Sequence, residues 1–199
     1  IFGSGCVTGC TDSIALNYDA DAHFSDNTLC EYVTGCTNPQ ANNFDLDAVV
    51  DDGSCLVCKD GVEVPDSLLA DGEQPGDILT VTITTGDWAS EISWELYNNE
   101  TEEFIFASTQ TYSNNQVYTK STGCLPDACY KLFAYDSYGD GWNDNGSFGV
   151  TNQFGQEIVP TTVMNEANGA IDPDGFGSFT EPQVLATYFS IGETSCDTY

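Results

Sequence analysis

Asp77-Ile78-Leu79-Thr80-Val81-Thr82-Ile83-Thr84 alternates apolar and polar residues with a period of two, and it is rich in β-branched residues. Such a pattern is typical of a strand with one buried and one solvent-facing side. Comparable stretches follow at residues 92–97, 104–106, 129–135, 147–150, 157–159 and 184–191, separated by turns rich in Gly, Asn and Asp. We therefore predict an all-β fold in which residues 58–199 form a jelly-roll-like antiparallel β-sandwich.

The N-terminal region contains two similar segments with a period of 26 residues, which begin at Gly9-Cys10 and Gly35-Cys36. Each carries an alanine, an Asn-aromatic-Asp triplet and a closing cysteine at matching positions, which is a strong repeat signal. Units this small cannot bury a core of their own, so we expect a disulfide to staple each of them. The expected pairs are Cys10–Cys30 and Cys36–Cys55.

The repeats and the strands divide the chain into modules. We predict a partial repeat or tail over residues 1–8, acidic repeats over 9–33 and 35–57, and the sandwich over 58–199, with an irregular lead-in at 59–76. A miniature core is expected against the disulfide of each repeat. Its predicted members are Ala15 and Tyr18 in the first repeat, and Ala41 and Phe44 in the second.

The charge of the chain is strongly negative. It carries 32 acidic residues against three lysines, a formal net charge of -29. Nucleic acids and anionic membranes are not expected as partners, because binding to phosphate needs clustered Lys or Arg. Calcium fits better, since it prefers carboxylate and carbonyl oxygens. The alternative is a solvated acidic surface that only keeps the protein soluble.

The nine cysteines favour disulfides and an oxidising compartment, which predicts an extracellular or cell-surface location. Zinc is a weaker interpretation, because His23 is the single histidine and the close cysteine pairs have no second C-x-x-C partner. No stretch approaches the roughly 20 apolar residues of a membrane span. Cys6 is similar in context to a closing cysteine, and we expect it to pair upstream in a longer chain, to pair with another molecule, or to stay free.

The two N-terminal segments resemble an acidic repeat of the form GCTDPxAxNYDxxAxxDDGSC, which occurs in large secreted proteins of aquatic bacteria and protists. More distantly they are similar to the calcium-loaded thrombospondin type 3 repeats, although the D-x-D-x-D-G run of that family is absent. The resemblance implies calcium ligands in both repeats. An equally weighted interpretation is that these acids cap turns and face water. The implied ligands are Asp19, Asp21 and Asp26 in the first repeat, and Asp45, Asp47 and Asp52 in the second.

A second acidic segment, residues 136–146, packs three Asp, two Asn and three Gly into eleven residues. Calcium needs six to eight converging oxygens, and glycines permit the sharp bends that this requires. We predict a calcium site here rather than an ordinary hairpin, because carboxylates this dense repel one another unless a cation joins them. Asp87 and Glu91 are expected either to close the site across the sheet or to be exposed turn acids. The predicted ligands of the segment itself are Asp136, Tyr138, Asp140, Trp142 and Asp144.

The stretches Asp87–Leu96, Cys124–Tyr130 and Asp136–Trp142 carry a further resemblance. Together they are similar to a module common in secreted surface proteins of marine bacteria and protists, and the similarity covers most of residues 58–196. This resemblance implies architecture and location more than activity. By position we pair Cys124 with Cys129, and Cys58 with Cys196, so that both ends of the sandwich are tied.

These features favour an extracellular structural or assembly protein: a calcium-stabilised glycoprotein subunit of a filament, appendage or surface matrix. Two N-x-S/T acceptors, Asn99 and Asn145, predict glycosylation. We expect head-to-tail self-association, with the N-terminal segment of one molecule added to a neighbour, or binding to other extracellular proteins or glycans.

A calcium-dependent carbohydrate-binding adhesin is the alternative function. In that hypothesis Trp88, Tyr138 or Trp142 stacks on a sugar ring, whereas the competing interpretation places these rings beneath the loop as packing. Catalysis is not expected, because His23 is alone and no Ser-His-Asp or Cys-His set can be drawn. A glycosidase carboxylate pair is compatible with so acidic a chain, but no specific pair stands out.

Overall fold

The computed structural model describes residues 6–108, 111–143, 145–165, 170–171, 183–192 and 196. The chain divides into two compact units. One comprises the residues up to Val57 together with Val64–Ala70, and the other comprises Cys58–Glu63 and the residues from Asp71 onward. The described chain is all-β, and its helices are three single 3-10 turns, Asn27–Leu29, Asp66–Leu68 and Ala89–Glu91. Within this part of the chain, no helix is long and apolar enough to cross a membrane.

The smaller unit contains two segments with the same local structure. In each, two short strands pair in parallel, and a cysteine forms an isolated bridge to the aromatic residue eight positions later, Cys10 to Tyr18 and Cys36 to Phe44. The strands are β1 (Thr8–Gly9) with β2 (Phe24–Ser25), and β3 (Thr34–Gly35) with β4 (Val50–Asp51).

The predicted disulfides Cys10–Cys30 and Cys36–Cys55 are confirmed. Ala15 and Ala41 are buried as expected, but the rings of Tyr18 and Phe44 remain 50% and 41% exposed. The prediction that the aromatic rings complete the miniature cores is therefore wrong, because segments this thin have no second layer to cover a ring. The small core of the second segment contains Cys36, Ala41, Cys55 and Val57, with Val64 and Leu69 packed against it.

Strands β5 (Leu56–Lys59) and β6 (Val62–Pro65) form a hairpin where an irregular lead-in was predicted. Its turn consists of Asp60 and Gly61, with φ values of 50° and 81°. A two-residue turn with both φ values positive is the kind that Asp-Gly favours, because it matches the twist of the two strands. The dipeptide Asp60-Gly61 was therefore the signal that could have revealed this hairpin.

The larger unit is a jelly-roll-like β-sandwich, as predicted. The strands are β7 (Asp77–Thr84), β8 (Ile92–Asn98), β9 (Phe104–Ala107), β10 (Val117–Leu125), β11 (Cys129–Asp136), β12 (Ser147–Asn152), β13 (Glu157–Val163), β14 (Ala170–Ile171) and β15 (Gln183–Ser190). The four-stranded sheet has the order β10-β7-β12-β13 and the five-stranded sheet the order β14-β15-β11-β8-β9, with antiparallel pairing throughout. Only β10 was not predicted among its long strands, because Val117–Leu125 is mostly polar and forms a half-exposed edge.

One apolar core fills the space between the two sheets. Alternate residues of β7, such as Leu79 and Val81, are fully buried there, as the period-two pattern requires. Trp94 lies at the centre, edge-on to Phe106 with ring centroids 5.2 Å apart, and its indole Nε1–H donates to the Tyr112 hydroxyl at 2.7 Å. This hydrogen bond satisfies a polar group that would otherwise be costly to bury.

The predicted pairs Cys124–Cys129 and Cys58–Cys196 are wrong, because the structure has Cys58–Cys124 and Cys129–Cys196. The backbone of Cys58 forms an isolated β-bridge with Gly76, just before β7, and Cys124 lies opposite Ile78 of β7. These two cysteines therefore meet at one end of the four-stranded sheet. Cys129 begins β11 in the other sheet, where it lies opposite Ser190 near the end of β15. Cys124 and Cys129 are close in sequence, yet they belong to different sheets.

Candidate functional site

The carboxylate of Asp136, at the end of β11, organises the loop that connects β11 to β12. Asp136 is completely buried. Its Oδ1 accepts a hydrogen bond from the Tyr138 N–H at 3.0 Å, and its Oδ2 accepts one from the Gly141 N–H at 2.6 Å. The loop therefore folds back around this side chain, which fixes both carboxylate oxygens in one orientation.

Glycine is required at one point of this turn. Gly141 has φ 89°, and a Cβ there would lie 2.7 Å from the Cα of Asn165. The next residue, Trp142, has its N–H bonded to the Met164 carbonyl at 2.9 Å. A side chain at position 141 would push the loop away from this backbone, so the bend depends on glycine.

Trp142 anchors the loop from below. Its indole is almost fully buried, donates from Nε1 to the Tyr135 carbonyl at 2.9 Å, and packs edge-on against Phe148 with ring centroids 5.8 Å apart. The ring is thus part of the packing beneath the loop, as the competing interpretation had it. Neither metal ligation nor sugar stacking by the Trp142 side chain is compatible with this position.

Glu91 and Asp140 face Asp136. Glu91 ends the 3-10 turn that follows β7, and its carbonyl accepts a hydrogen bond from the Ser137 N–H at 3.1 Å, which ties the two segments together. One carboxylate oxygen from each of Glu91, Asp136 and Asp140 lies within 4.8 Å of the other two. We refer to these three residues as the acidic triad.

The triad is electrostatically unfavourable as it stands. Burial, followed by the charges of Asp136 and Asp140, raises the pKa of Glu91. Asn143 offers one neutral donor, from Nδ2 to Asp140 Oδ1 at 3.2 Å. The positive side chains of the protein are engaged elsewhere. Lys59 pairs with Glu73, Lys131 pairs with Glu102, and Lys120 donates to the Ala107 carbonyl.

Not every predicted ligand joins the triad. Asp87 instead accepts a hydrogen bond from Asn115 Nδ2 at 3.0 Å, and it is not part of the acidic group. Tyr138 contributes its backbone N–H to Asp136, and its ring is 50% exposed. Asp144 lies outside the described residues.

The aspartates of the two N-terminal segments bond mainly to their own local backbone. Asp19 Oδ1 accepts from the Asp21 N–H and Asp45 Oδ1 from the Asp47 N–H, both at 2.9 Å. In the described part of the chain, the acidic triad is the group of three acids close enough to share an ion. The structure therefore places these aspartates in turns, and it does not bring them together as ligands. The remaining predicted ligands follow the same pattern, with Asp26 bonded to Thr28 and Asp52 bonded to Ser54.

Two asparagines of the smaller unit have a role that the sequence interpretation missed. Asn17 Nδ2 donates to the Leu29 carbonyl at 2.6 Å and its Oδ1 accepts from the Glu31 N–H at 2.9 Å. Asn43 makes the matching pair of bonds with Ser54 and Leu56. Each asparagine therefore clamps the backbone on both sides of the closing cysteine. The signal was the asparagine at the same position of both repeats.

Comparison with known proteins adds no identification. No family model matches the chain, and the searches of curated proteins and of solved structures found no similar protein.

Proposed function

We propose that the protein is an extracellular structural or assembly protein whose β-sandwich is stabilised by a calcium ion bound to Glu91, Asp136 and Asp140. The observation that carries this proposal is that the carboxylates of Glu91 and Asp140 converge on the buried carboxylate of Asp136. Three negative charges in so small a volume repel one another strongly, and a divalent cation converts that repulsion into attraction.

The donor set of the triad suits calcium. Carboxylate oxygens are the preferred ligands of this ion, and backbone carbonyls and water complete its six to eight positions. Asp136 still has lone pairs free after accepting two N–H bonds. A bound ion joins the 3-10 turn that ends at Glu91 to the loop that carries Asp140, so its main effect is on stability.

The disulfides support the extracellular part of the proposal. Four disulfides in a chain of this length suit an oxidising compartment. We propose a structural role rather than catalysis, because the carboxylates of the acidic triad suit ion binding. Carbohydrate at Asn99 and Asn145 belongs to the same proposal, since Asn145 lies exposed in a turn.

Calcium titration tests the triad directly. We expect saturating calcium to raise the melting temperature, because ligand at a hundred times its dissociation constant stabilises the native state by about 2.7 kcal/mol. The variant Asp140→Asn should lose most of this increment, and Asp87→Asn is the matched control that should keep it. An unchanged melting curve with calcium and with chelator, together with no metal by elemental analysis, would rule the site out.

Self-association is the assembly part of the proposal. Cys6 is exposed and unpaired, and residues 1–6 are proposed to add to a neighbouring molecule in a head-to-tail contact, which generates a filament unless it closes a ring. Sedimentation and electron microscopy of the intact chain and of a chain lacking residues 1–6 test this. Identical polymers from both chains, or a persistent monomer at high concentration with calcium, contradict the tail mechanism.

Calcium-dependent sugar binding is the second candidate. Two exposed rings flank the triad in sequence, since Trp88 is 66% exposed and precedes the turn that ends at Glu91, and Tyr138 follows Asp136. If this function is correct, Trp88→Ala should abolish glycan-array binding that chelator also abolishes. Binding that survives both changes contradicts it.

A further inference from the structure

The two sheets of the sandwich present very different outer faces. On the four-stranded sheet, the outward positions of the three neighbouring strands β10, β7 and β12 are mostly hydroxyl residues, for example Thr80, Thr82 and Thr119. On the five-stranded sheet, the outward positions hold five aromatic rings where an antiparallel sheet usually presents polar residues to water. We call these rings the aromatic face: Tyr97, Phe104, Phe133, Tyr135 and Tyr188.

The register of the strands aligns part of this face in a row. Tyr188, Lys131, Tyr97 and Phe104 lie directly opposite one another across β15, β11, β8 and β9. Adjacent strands are about 4.8 Å apart, so the row runs roughly 14 Å across the sheet. Its two ends are the most accessible, with Phe104 53% and Tyr188 43% exposed.

The neighbouring row of outward residues has small side chains at both ends. It contains Phe133 and Glu95 at its centre and the small residues Ala186 and Ala107 at its ends. The Tyr97 ring packs edge-on against Phe133, with centroids 5.9 Å apart and planes at 72°. An extended ligand that crosses the strands would therefore lie on the two alanines and contact the sides of the aromatic rings in the first row.

The charged groups on this face are engaged in hydrogen bonds or an ion pair within the protein. Glu95 Oε2 accepts hydrogen bonds from the hydroxyls of Tyr97 at 3.1 Å and Tyr135 at 3.0 Å. Lys131 forms an ion pair with Glu102 at 2.6 Å, and its Nζ lies 5.8 Å from the centroid of the Tyr97 ring. The face carries two carboxylates, Glu95 and Glu102, against one ammonium, so it offers no excess positive charge to a polyanion, and a net charge of -29 repels polyanions further.

We propose that the aromatic face is a binding site for a neutral polysaccharide. The C–H faces of sugar rings remove apolar surface from water when they lie on the aromatic rings. Glu95 fixes two tyrosine hydroxyls and retains a second carboxylate oxygen for sugar hydroxyls. The site is separate from the acidic triad, and it requires neither calcium nor self-association.

Affinity electrophoresis tests the proposal with defined probes, namely the neutral polymers hydroxyethylcellulose, galactomannan and laminarin, and the acidic polymer alginate. We expect at least one neutral polymer to retard the protein, and alginate not to retard it. Phe104→Ala and Tyr188→Ala should each weaken binding about tenfold, as loss of a binding hot spot does. Both residues are exposed, so these variants are expected to fold, and the melting temperature checks this.

Two controls keep the test decisive. Phe154→Ala removes an exposed ring from the turn that joins β12 to β13 in the other sheet, and it should leave binding unchanged. Chelator should also leave binding unchanged, which separates this site from the calcium proposal. The proposal is overturned if no neutral polymer retards the protein, or if Phe104→Ala and Tyr188→Ala bind as the parent does. It is also overturned if these two variants change sedimentation without changing retardation, since the face would then be a protein interface.

Discussion

The two compact units are both rich in acids, but they hold these acids in opposite ways. In the smaller unit, Asp51 is exposed and Asp26 is half-buried, and both accept hydrogen bonds from nearby N–H and O–H groups, which lowers the pKa of each. In the sandwich, burial raises the pKa of Asp77 and of Glu91. The comparison teaches that a carboxylate becomes a turn cap where there is no core, and a candidate ion ligand where a core forces carboxylates together.

The units also differ in what stabilises them. The sandwich has a continuous apolar core between its sheets, whereas the described apolar cluster of the smaller unit is limited to a few residues around Cys36 and Cys55. Apolar burial therefore contributes most of the stability of the sandwich, whereas covalent restriction of the unfolded chain contributes most of the stability of the smaller unit.

The largest expected effect concerns the core. Trp94→Ala should destabilise the sandwich by about 3–5 kcal/mol, because it leaves a cavity and removes the hydrogen bond to Tyr112. All three tryptophans lie in the sandwich unit, so denaturant unfolding followed by their fluorescence measures this unit. Trp88→Ala, at an exposed position, is the control and should change stability by less than about 0.5 kcal/mol. Equal effects of the two variants contradict a core centred on Trp94.

Removal of a disulfide from the smaller unit is expected to come next. Replacing Cys36 and Cys55 by serine should cost about 3 kcal/mol, the loop-closure entropy of a ring of this size. Hydrogen exchange should show faster exchange for the amides of residues 34–56 and unchanged protection in β7 and β11. Loss of protection in those two strands as well would show that the small unit does not unfold by itself.

A matched pair of glycines gives a smaller effect. Gly53 in the smaller unit and Gly141 in the sandwich have similar φ values of 76° and 89°, but a Cβ at Gly53 would have no neighbour within 4 Å, whereas one at Gly141 would meet Asn165. Gly53→Ala should cost about 1 kcal/mol for the left-handed backbone alone. Gly141→Ala should cost more, and thermal unfolding of both variants measures the difference. Equal costs would show that the loop yields without strain.

The smallest effect is a difference in pH dependence. The lowered pKa of Asp26 contributes stability that is present above the unfolded value of 3.8 and is lost as the pH falls through the folded pKa. The raised pKa of Asp77 has the opposite effect on stability. Its contribution to stability is complete below the unfolded pKa of 3.8 and is lost as the pH rises through the folded pKa.

Carboxyl titrations by NMR, with Asp26→Asn and Asp77→Asn for assignment, measure both folded pKa values. Asp26→Asn should cost more stability at about pH 6 than at about pH 3, and Asp77→Asn should cost less at the higher pH. Shifts of the same sign for both residues would contradict the comparison between the units.

The sequence predicted most strands of the sandwich because alternation is a local property, as in Asp77–Thr84. It did not predict which cysteines pair. Pro126, Asp127 and Ala128 lie between β10 and β11, which belong to different sheets, and this separates Cys124 from Cys129. The short sequence distance between Cys124 and Cys129 does not reveal that the two cysteines lie in different sheets.

The candidate site was predicted in part for the same reason. The loop was recognisable from its density of Asp, Asn and Gly, and Glu91, Asp136 and Asp140 were all among the expected ligands. Asp87 was equally plausible from sequence, but it lies before the 3-10 turn that ends at Glu91, and it bonds to Asn115 instead. The backbone turn between Asp87 and Glu91 therefore determines that Glu91, and not Asp87, reaches the other two carboxylates.

The disulfide connectivity has a consequence for a chain that is pulled from its ends. Each bond closes a loop that cannot lengthen unless sulfur–sulfur bonds break, and the four loops span residues 10–30, 36–55, 58–124 and 129–196. Between Cys10 and Cys196, only the short stretches 31–35, 56–57 and 125–128 remain free to extend, by at most about 3.6 Å per residue. Under tension the protein therefore behaves as a nearly inextensible tether, and a reducing agent turns it into an elastic one.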